Sequence, residues 1–169
     1  MAVVSLRPAT LADIPLLEHW DRQPHVIAAT GDDDCADWQD ELVPARPWAA
    51  HLVAEEAGRP VGIVQIIDPE LEETHYWGDC GPGLRAIDIW IGETADLGRG
   101  LGTAMMRLAL ARCFEEPQVE AVLIDPLASN TRARRFYERL GFAQVGPRRF
   151  GTDDCVVYRL DRAEASHDA

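Results

Sequence analysis

Apolar and polar positions change period several times along this chain, and each change marks an element. Residues 3–7 have strand composition and stop at Pro8. Thr10 is placed to cap a helix over residues 11–20, with Asp13 as a partial capping box. Leu11, Ile14, Leu17 and Trp20 give that helix one apolar face. Residues 21–47 contain three prolines and read as irregular, apart from a short helix around residues 36–42. Residues 48–55 alternate weakly, residues 60–68 are apolar and β-branched, and Glu56-Ala57-Gly58-Arg59 between them is a hairpin signal. Residues 70–83 are polar, aromatic and glycine-rich, which predicts a loop, and residues 84–91 form the next strand. Leu101, Met105, Leu108, Ala109 and Arg112 then recur at helical spacing up to Phe114, with Pro117 beyond the end. A buried strand follows at residues 119–124. Ser129 and Asn130 open a second helix with Ala133, Phe136, Tyr137 and Leu140 on its apolar side and Gly141 as its stop. Strands at residues 142–145 and 155–160 complete the sheet, and the polar tail from Asp161 is expected to fray. This order predicts an α/β (α+β) fold, a mixed sheet with helices on both faces. One domain is expected over residues 1–162, with a polar tail at 163–169.

Composition narrows the function classes. The chain has 169 residues, 47% of them hydrophobic, which suits a single core without staples. It holds no apolar run of about 20 residues, so no membrane-crossing helix is expected. The first ten residues do not resemble a signal peptide, and cytoplasmic residence is the expectation. Cys35, Cys80, Cys113 and Cys155 lack metal-ligand spacing, so no metal is expected, and Cys113 reads as core. The net charge of −13 argues against nucleic acid as a partner. It serves either solubility or the attraction of a polycationic substrate. Acidic clusters at Asp32-Asp33-Asp34 and at Glu70, Glu72 and Glu73, in segments read as loops, favour the second use. The oligomeric state is left as monomer or homodimer.

The candidate chemistry centres on Leu97-Gly98-Arg99-Gly100-Leu101-Gly102-Thr103, between a strand and a helix. A helix start offers unpaired N–H groups and partial positive charge, and glycines let the backbone approach an anion. Arg99 would add a charge. Six residues separate the strand from Gly98, which fits a dinucleotide fingerprint poorly, and a phosphate-loop lysine is missing. Asp88 interrupts the apolar strand Ile87-Asp88-Ile89-Trp90-Ile91. The alternation permits it to face solvent, or it faces a site where a carboxylate handles a proton. Asp125-Pro126 is either a turn or an amine-binding position at a strand end. Tyr76, Trp77 and Asp79 lie in a loop that either caps the core or floors an acceptor site.

Asp125-Pro126-Leu127-Ala128-Ser129-Asn130, followed by Arg134-Arg135-Phe136-Tyr137-Glu138-Arg139-Leu140-Gly141-Phe142, resembles the GNAT superfamily of N-acetyltransferases over residues 60–160. Leu97 stands where that superfamily usually has Arg or Gln. The resemblance implies a mostly antiparallel twisted sheet and acetyl-CoA as co-substrate. It also implies a pyrophosphate cradle at Gly98, Arg99, Gly100, Leu101, Gly102 and Thr103. The backbone of Ile89, Trp90 and Ile91 would pair with pantetheine amides, with Asn130 and Ala133 alongside. Tyr137 would be the general acid. Core packing for Tyr137 and helix capping for Asn130 are compatible alternatives.

Arg85-Ala86-Ile87-Asp88, Asp96-Leu97-Gly98-Arg99-Gly100-Leu101-Gly102-Thr103 and Ile124-Asp125-Pro126 look like the aminoglycoside 6'-N-acetyltransferases. That narrower resemblance implies a polycationic amine, an aminoglycoside, as acceptor. It places Asp88 in catalysis and puts Tyr76, Trp77, Asp79, Asp88 and Asp125 at the acceptor. Tryptophans of those enzymes after the first helix are replaced here by Ala28-Ala29-Thr30-Gly31, with Trp38 further on. Lysine or siderophore-precursor N-acyltransferases carry histidine on the central strand, and Asp88 argues against them. Acetylation of protein N-termini would want a less acidic cleft. Retention of Asp88, Asn130 and Tyr137 argues against an idle acetyl-CoA-binding module.

Overall fold

A computed structural model of the chain describes residues 3–31 and 37–165. The acidic run at residues 32–34 and Cys35 lie outside the described residues. Seven strands form one sheet: β1 (Val4–Pro8), β2 (Ala49–Glu56), β3 (Arg59–Ile67), β4 (Leu84–Ile91), β5 (Ala121–Ile124), β6 (Ala143–Phe150) and β7 (Asp153–Asp161). Their order is β1-β2-β3-β4-β5-β7-β6, and every neighbouring pair is antiparallel except β4 with β5. The mixed, mostly antiparallel sheet is the one the resemblance implied. The turn between β2 and β3 holds Ala57 and Gly58 at φ 51° and 77°. Two successive left-handed residues make the tight turn that matches strand twist.

Helices cover both faces. On one side α4 (Leu101–Phe114) and α5 (Thr131–Arg139) bury Met105, Met106, Ala109, Cys113 and Tyr137 against Val64, Ile66, Ile87 and Val122. Cys113 is core, as expected, and burial pushes its thiol up to about 12. On the other side α1 (Ile14–Asp21), α2 (Pro24–Thr30) and α3 (Trp38–Leu42) cover the β3–β4 end of the sheet. Leu17, Trp20, Trp38 and Ile63 are the buried cluster there. A third cluster joins Trp77 and Phe150 to Leu84, Ala86, Leu123 and Val157. A short α6 (Arg162–Ala165) ends the described chain.

Several expectations shift. A 3₁₀ turn at Leu11–Asp13 precedes α1, so Leu11 falls out of phase and is exposed, while Leu17 and Trp20 are buried. The Thr10–Asp13 capping box forms, with the Thr10 N–H 2.8 Å from Asp13 Oδ2. Arg7 on β1 clasps the same carboxylate and holds Asp13 down at about 2. The stretch read as irregular contains α2, which starts with Pro24 at its first position. β6 runs on past Val145 through a bulge and Pro147, which its place at the sheet edge tolerates. The fraying expected from Asp161 does not begin there. The Arg162 guanidinium donates to the carbonyls of Val119, Phe114 and Glu116 at 2.6–2.9 Å, tying α6 to the core.

Candidate active site

The register of β3 against β4 sets out the site. Ile63 lies opposite Trp90, Gln65 opposite Asp88, and Ile67 opposite Ala86. Side chains alternate across a strand, so these three pairs share one face. The first pair packs with the α1–α3 cluster, and the third with the aromatic loop between β3 and β4. Gln65 and Asp88 form the polar rung between them. Asp88 does point away from Ile87, Ile89 and Ile91, as the alternation allowed. That face, however, is built up on either side, and Asp88 is exposed into a cavity of about 460 Å³. Such a volume lies within the ordinary range for small-molecule sites.

A gap in the sheet opens beside Asp88. β4 pairs with β5 only at Leu84, Arg85 and Ala86, and the ladder stops there. The Gly92 N–H donates to the Val61 carbonyl at 2.9 Å. Ladder bonds alternate, so the backbone polar groups of Ile87, Ile89 and Ile91 face away from β3, and those of Ile89 and Ile91, beyond the last β4–β5 pair, face the gap. Trp90 is the reverse: its backbone faces β3 and its side chain lines the cavity. His25 on α2 places Nε2 2.8 Å from the Ile91 carbonyl.

α5 enters the gap from the opposite side. Asn130 caps it, its side-chain oxygen accepting from the Ala133 N–H at 3.1 Å. Asn130, Ala133 and Tyr137 all line the cavity. Tyr137 packs against Phe136 and Phe142 with ring centroids 5.1 and 5.8 Å away. Burial, reinforced by the negative charges of Asp88 and Asp125, pushes its phenol well above the ordinary value. Tyr137 therefore keeps its proton at neutral pH, and both carboxylates lie close enough to act on it.

The aromatic loop supplies another wall. Glu72 is buried and accepts from the Thr74 N–H, the Thr74 hydroxyl and the Tyr76 N–H at 2.7–3.0 Å. That fixes Tyr76, which stacks on Phe150 at 4.4 Å and donates its hydroxyl to Asp125 Oδ2 at 2.6 Å. Trp77 meets both rings edge-on. Tyr76, Trp77 and Asp125 all line the cavity. Asp79 does not. It lies in a separate depression with Glu70, His75 and Cys80.

The glycine loop stands at the start of α4. Gly98 and Gly100 have φ of 75° and 81°, which glycine adopts without strain. A Cβ at either would meet nothing within 4 Å, so conformation rather than crowding requires glycine there. No side chain caps α4, which leaves the first-turn N–H groups of Leu101, Gly102 and Thr103 without a side-chain acceptor. The Leu101 side chain itself is core. Arg99 is already engaged: it reaches Asp96 at 2.6 Å and Glu56 at 2.9 Å. Arg59 grips the same Asp96 at 2.8 Å, and with Arg99 it holds that carboxyl below its ordinary value. The network ties the loop to the β2–β3 hairpin, so Arg99 positions the loop.

Sequence reasoning missed part of the lining: Asp21, Trp38, Glu41, Trp48, Gln65 and Asp153. Gln65 was open to discovery, as the lone polar residue within residues 61–67. The others come from elements whose placement on the sheet carries no local signal.

A splayed sheet, an uncapped helix behind two left-handed glycines, and a protonated tyrosine near two carboxylates are the parts an acyl transfer would use. Comparison with known proteins agrees. The family described as an acetyltransferase (GNAT) domain matches residues 9–150, and the chain belongs to it. Within that family the chain is 31% identical over 151 residues to the aminoglycoside N(6')-acetyltransferase type 1 of Klebsiella pneumoniae, covering 85% of this chain and 75% of the relative. It is 28% identical over 171 residues to a lysine N-acyltransferase of Mycolicibacterium paratuberculosis, covering 93% and 73%. A crystal structure of aminoglycoside acetyltransferase AAC(6')-Ib in complex with coenzyme A and kanamycin superposes with a TM-score of 0.88 at 28% identity, over 98% of this chain and 99% of that one.

Proposed function

We propose that the chain transfers the acetyl group of acetyl-CoA to the 6'-amine of an aminoglycoside. The observation that carries this reading is the meeting of Asp88, Asp125 and Tyr137 in one aromatic, acid-lined cavity beside the open edge of β4. Bound acetyl-CoA would supply the activated acyl group. Its pyrophosphate fits the bare N–H groups of Leu101, Gly102 and Thr103 behind Gly98 and Gly100. Its pantetheine arm fits the outward backbone groups of Ile89 and the Ile91 N–H, the Ile91 carbonyl being held by His25, with Asn130 and Ala133 beside Ile89. The acceptor amine arrives as an ammonium and must shed a proton before it attacks. Asp88 orients it and takes that proton, directly or through a water. Asp125, held by Tyr76, and the ring of Trp77 floor the acceptor. As the new N–C bond forms and the C–S bond breaks, Tyr137 delivers its proton to the departing sulfur. The second proton that the nitrogen sheds on becoming an amide restores Tyr137 through solvent, while Asp88 returns the first proton to water.

The relative that acylates lysine leaves a second acceptor class to separate. Thiol release is followed with acetyl-CoA and a panel of kanamycin, tobramycin and free lysine. Release with the aminoglycosides, and a product whose acetyl group maps to the 6'-nitrogen, is expected. No release across the aminoglycosides overturns the acceptor and leaves the family membership standing.

A further inference from the structure

Not every acid in the cavity wall is available to an incoming cation. Glu41 is held by Arg46 at 3.0 Å and His51 at 3.3 Å. Glu72 spends its carboxylate on its own loop. Asp21 differs from both. It is the last residue of α1, partly buried, and it lines the cavity. Its polar partner is the Trp38 indole, whose Nε1–H donates to Oδ2 at 2.6 Å. Among the described residues no cation forms an ion pair with it: the adjacent Arg22 pairs with Glu18 at 3.5 Å.

This arrangement is unfavourable for the folded protein alone. The C-terminal end of a helix carries partial negative charge and disfavours a carboxylate. Burial also raises the Asp21 carboxyl above its ordinary value, only partly offset by Trp38. A charge held against both effects, yet aimed by a hydrogen bond, is the pattern expected where stability is given up for binding. Asp21 belongs to the wall made by α1 and α3, whereas Tyr137 with Asp88 and Asp125 belongs to the β4–α5 gap. The cavity spans both.

We infer that Asp21 binds a second ammonium group of the acceptor, one that is not acetylated, and so selects substrates carrying at least two separated amines. The inference rests on the amine-acceptor reading above. Asp21 is a binding residue in this scheme, with the buried Trp38 fixing its carboxylate from behind.

Asp21→Asn tests it, because asparagine keeps an oxygen for Trp38 and removes only the charge. Initial rates with kanamycin and acetyl-CoA give both KM values and kcat, calorimetry gives kanamycin affinity without turnover, and thermal melting reports stability. The KM and Kd for kanamycin are expected to rise about tenfold or more, the loss of one charge-assisted contact. The KM for acetyl-CoA should stay within about twofold and kcat fall less than about threefold. The melting temperature should hold or rise, whereas a merely structural role predicts a fall. If wild type acetylates kanamycin and the variant binds it equally well, this inference fails alone. A wild type that neither acetylates nor binds kanamycin overturns the acceptor reading and the inference with it.

Discussion

Asp88 owes its surroundings to strand register, which is why its sequence neighbours leave its role open. Alternation along residues 87–91 says only that Asp88 and the three isoleucines face opposite ways. What covers its face is decided by α1–α3 and the aromatic loop, brought in from distant segments. The same limit hid Asp21, since neither its helix-end position nor Trp38, 17 residues on, reveals a shared cavity. Tyr137 was readable as a packed ring on the apolar side of α5, and its place on the cavity wall leaves the proposed acid role compatible with that packing. For Asp88 the expected outcome is specific. Asp88→Asn should leave the KM for acetyl-CoA unchanged and lower kcat by about 10²- to 10⁴-fold, the usual range for a lost general base. Steady-state rates at several pH values check this. An unchanged kcat would make Asp88 a structural residue.

At the scale of elements, strongly patterned segments were legible and short ones were not. The β2–β3 hairpin, β4, α4 and α5 fall where period and punctuation put them. α2 was missed because seven residues are too few for a helical period, although Pro24 at its start was a usable signal. β6 was cut short because Gly146-Pro147 reads as a stop, and only its edge position lets the strand continue. The glycine loop was legible as a turn into a helix start, and the structure gives the reason for its glycines. Gly98 and Gly100 are required by left-handed backbone, and Arg99 acts through Asp96 and Glu56 on the loop's placement. Gly100→Val should therefore distort the start of α4 at a conformational cost of about 1–2 kcal/mol. Acetyl-CoA affinity, read by calorimetry, is expected to fall about tenfold or more as the N–H groups lose alignment. Kanamycin affinity should hold. Unchanged acetyl-CoA affinity would remove the loop from the cofactor site.

At the scale of the whole molecule the two substrates carry opposite charge, and the protein's own field must treat them oppositely. The chain holds 29 acidic and 16 basic residues, for a net charge of −13. Acids cluster where the acceptor would enter, with Asp21, Asp88, Asp125 and Asp153 on the cavity wall. At the other end the proposed cradle would rely on neutral N–H groups, because Leu97 adds no charge and Arg99 is neutralised by Glu56 and Asp96. On the proposed function a polycationic acceptor would be drawn in by long-range attraction, while the anionic acetyl-CoA would be held by short-range hydrogen bonds against a repulsive background. Salt separates the two. The screening length falls from about 10 Å at 0.1 M to about 3 Å at 1 M. Raising ionic strength across that range should lower kcat/KM for kanamycin by about tenfold or more, through KM. Over the same range the KM for acetyl-CoA should hold or decrease, since screening weakens repulsion. Parallel titrations of both substrates in sodium chloride read the two signs directly. A kanamycin KM that stays flat would assign the net charge to solubility, and the acids of the cavity would then act only on contact.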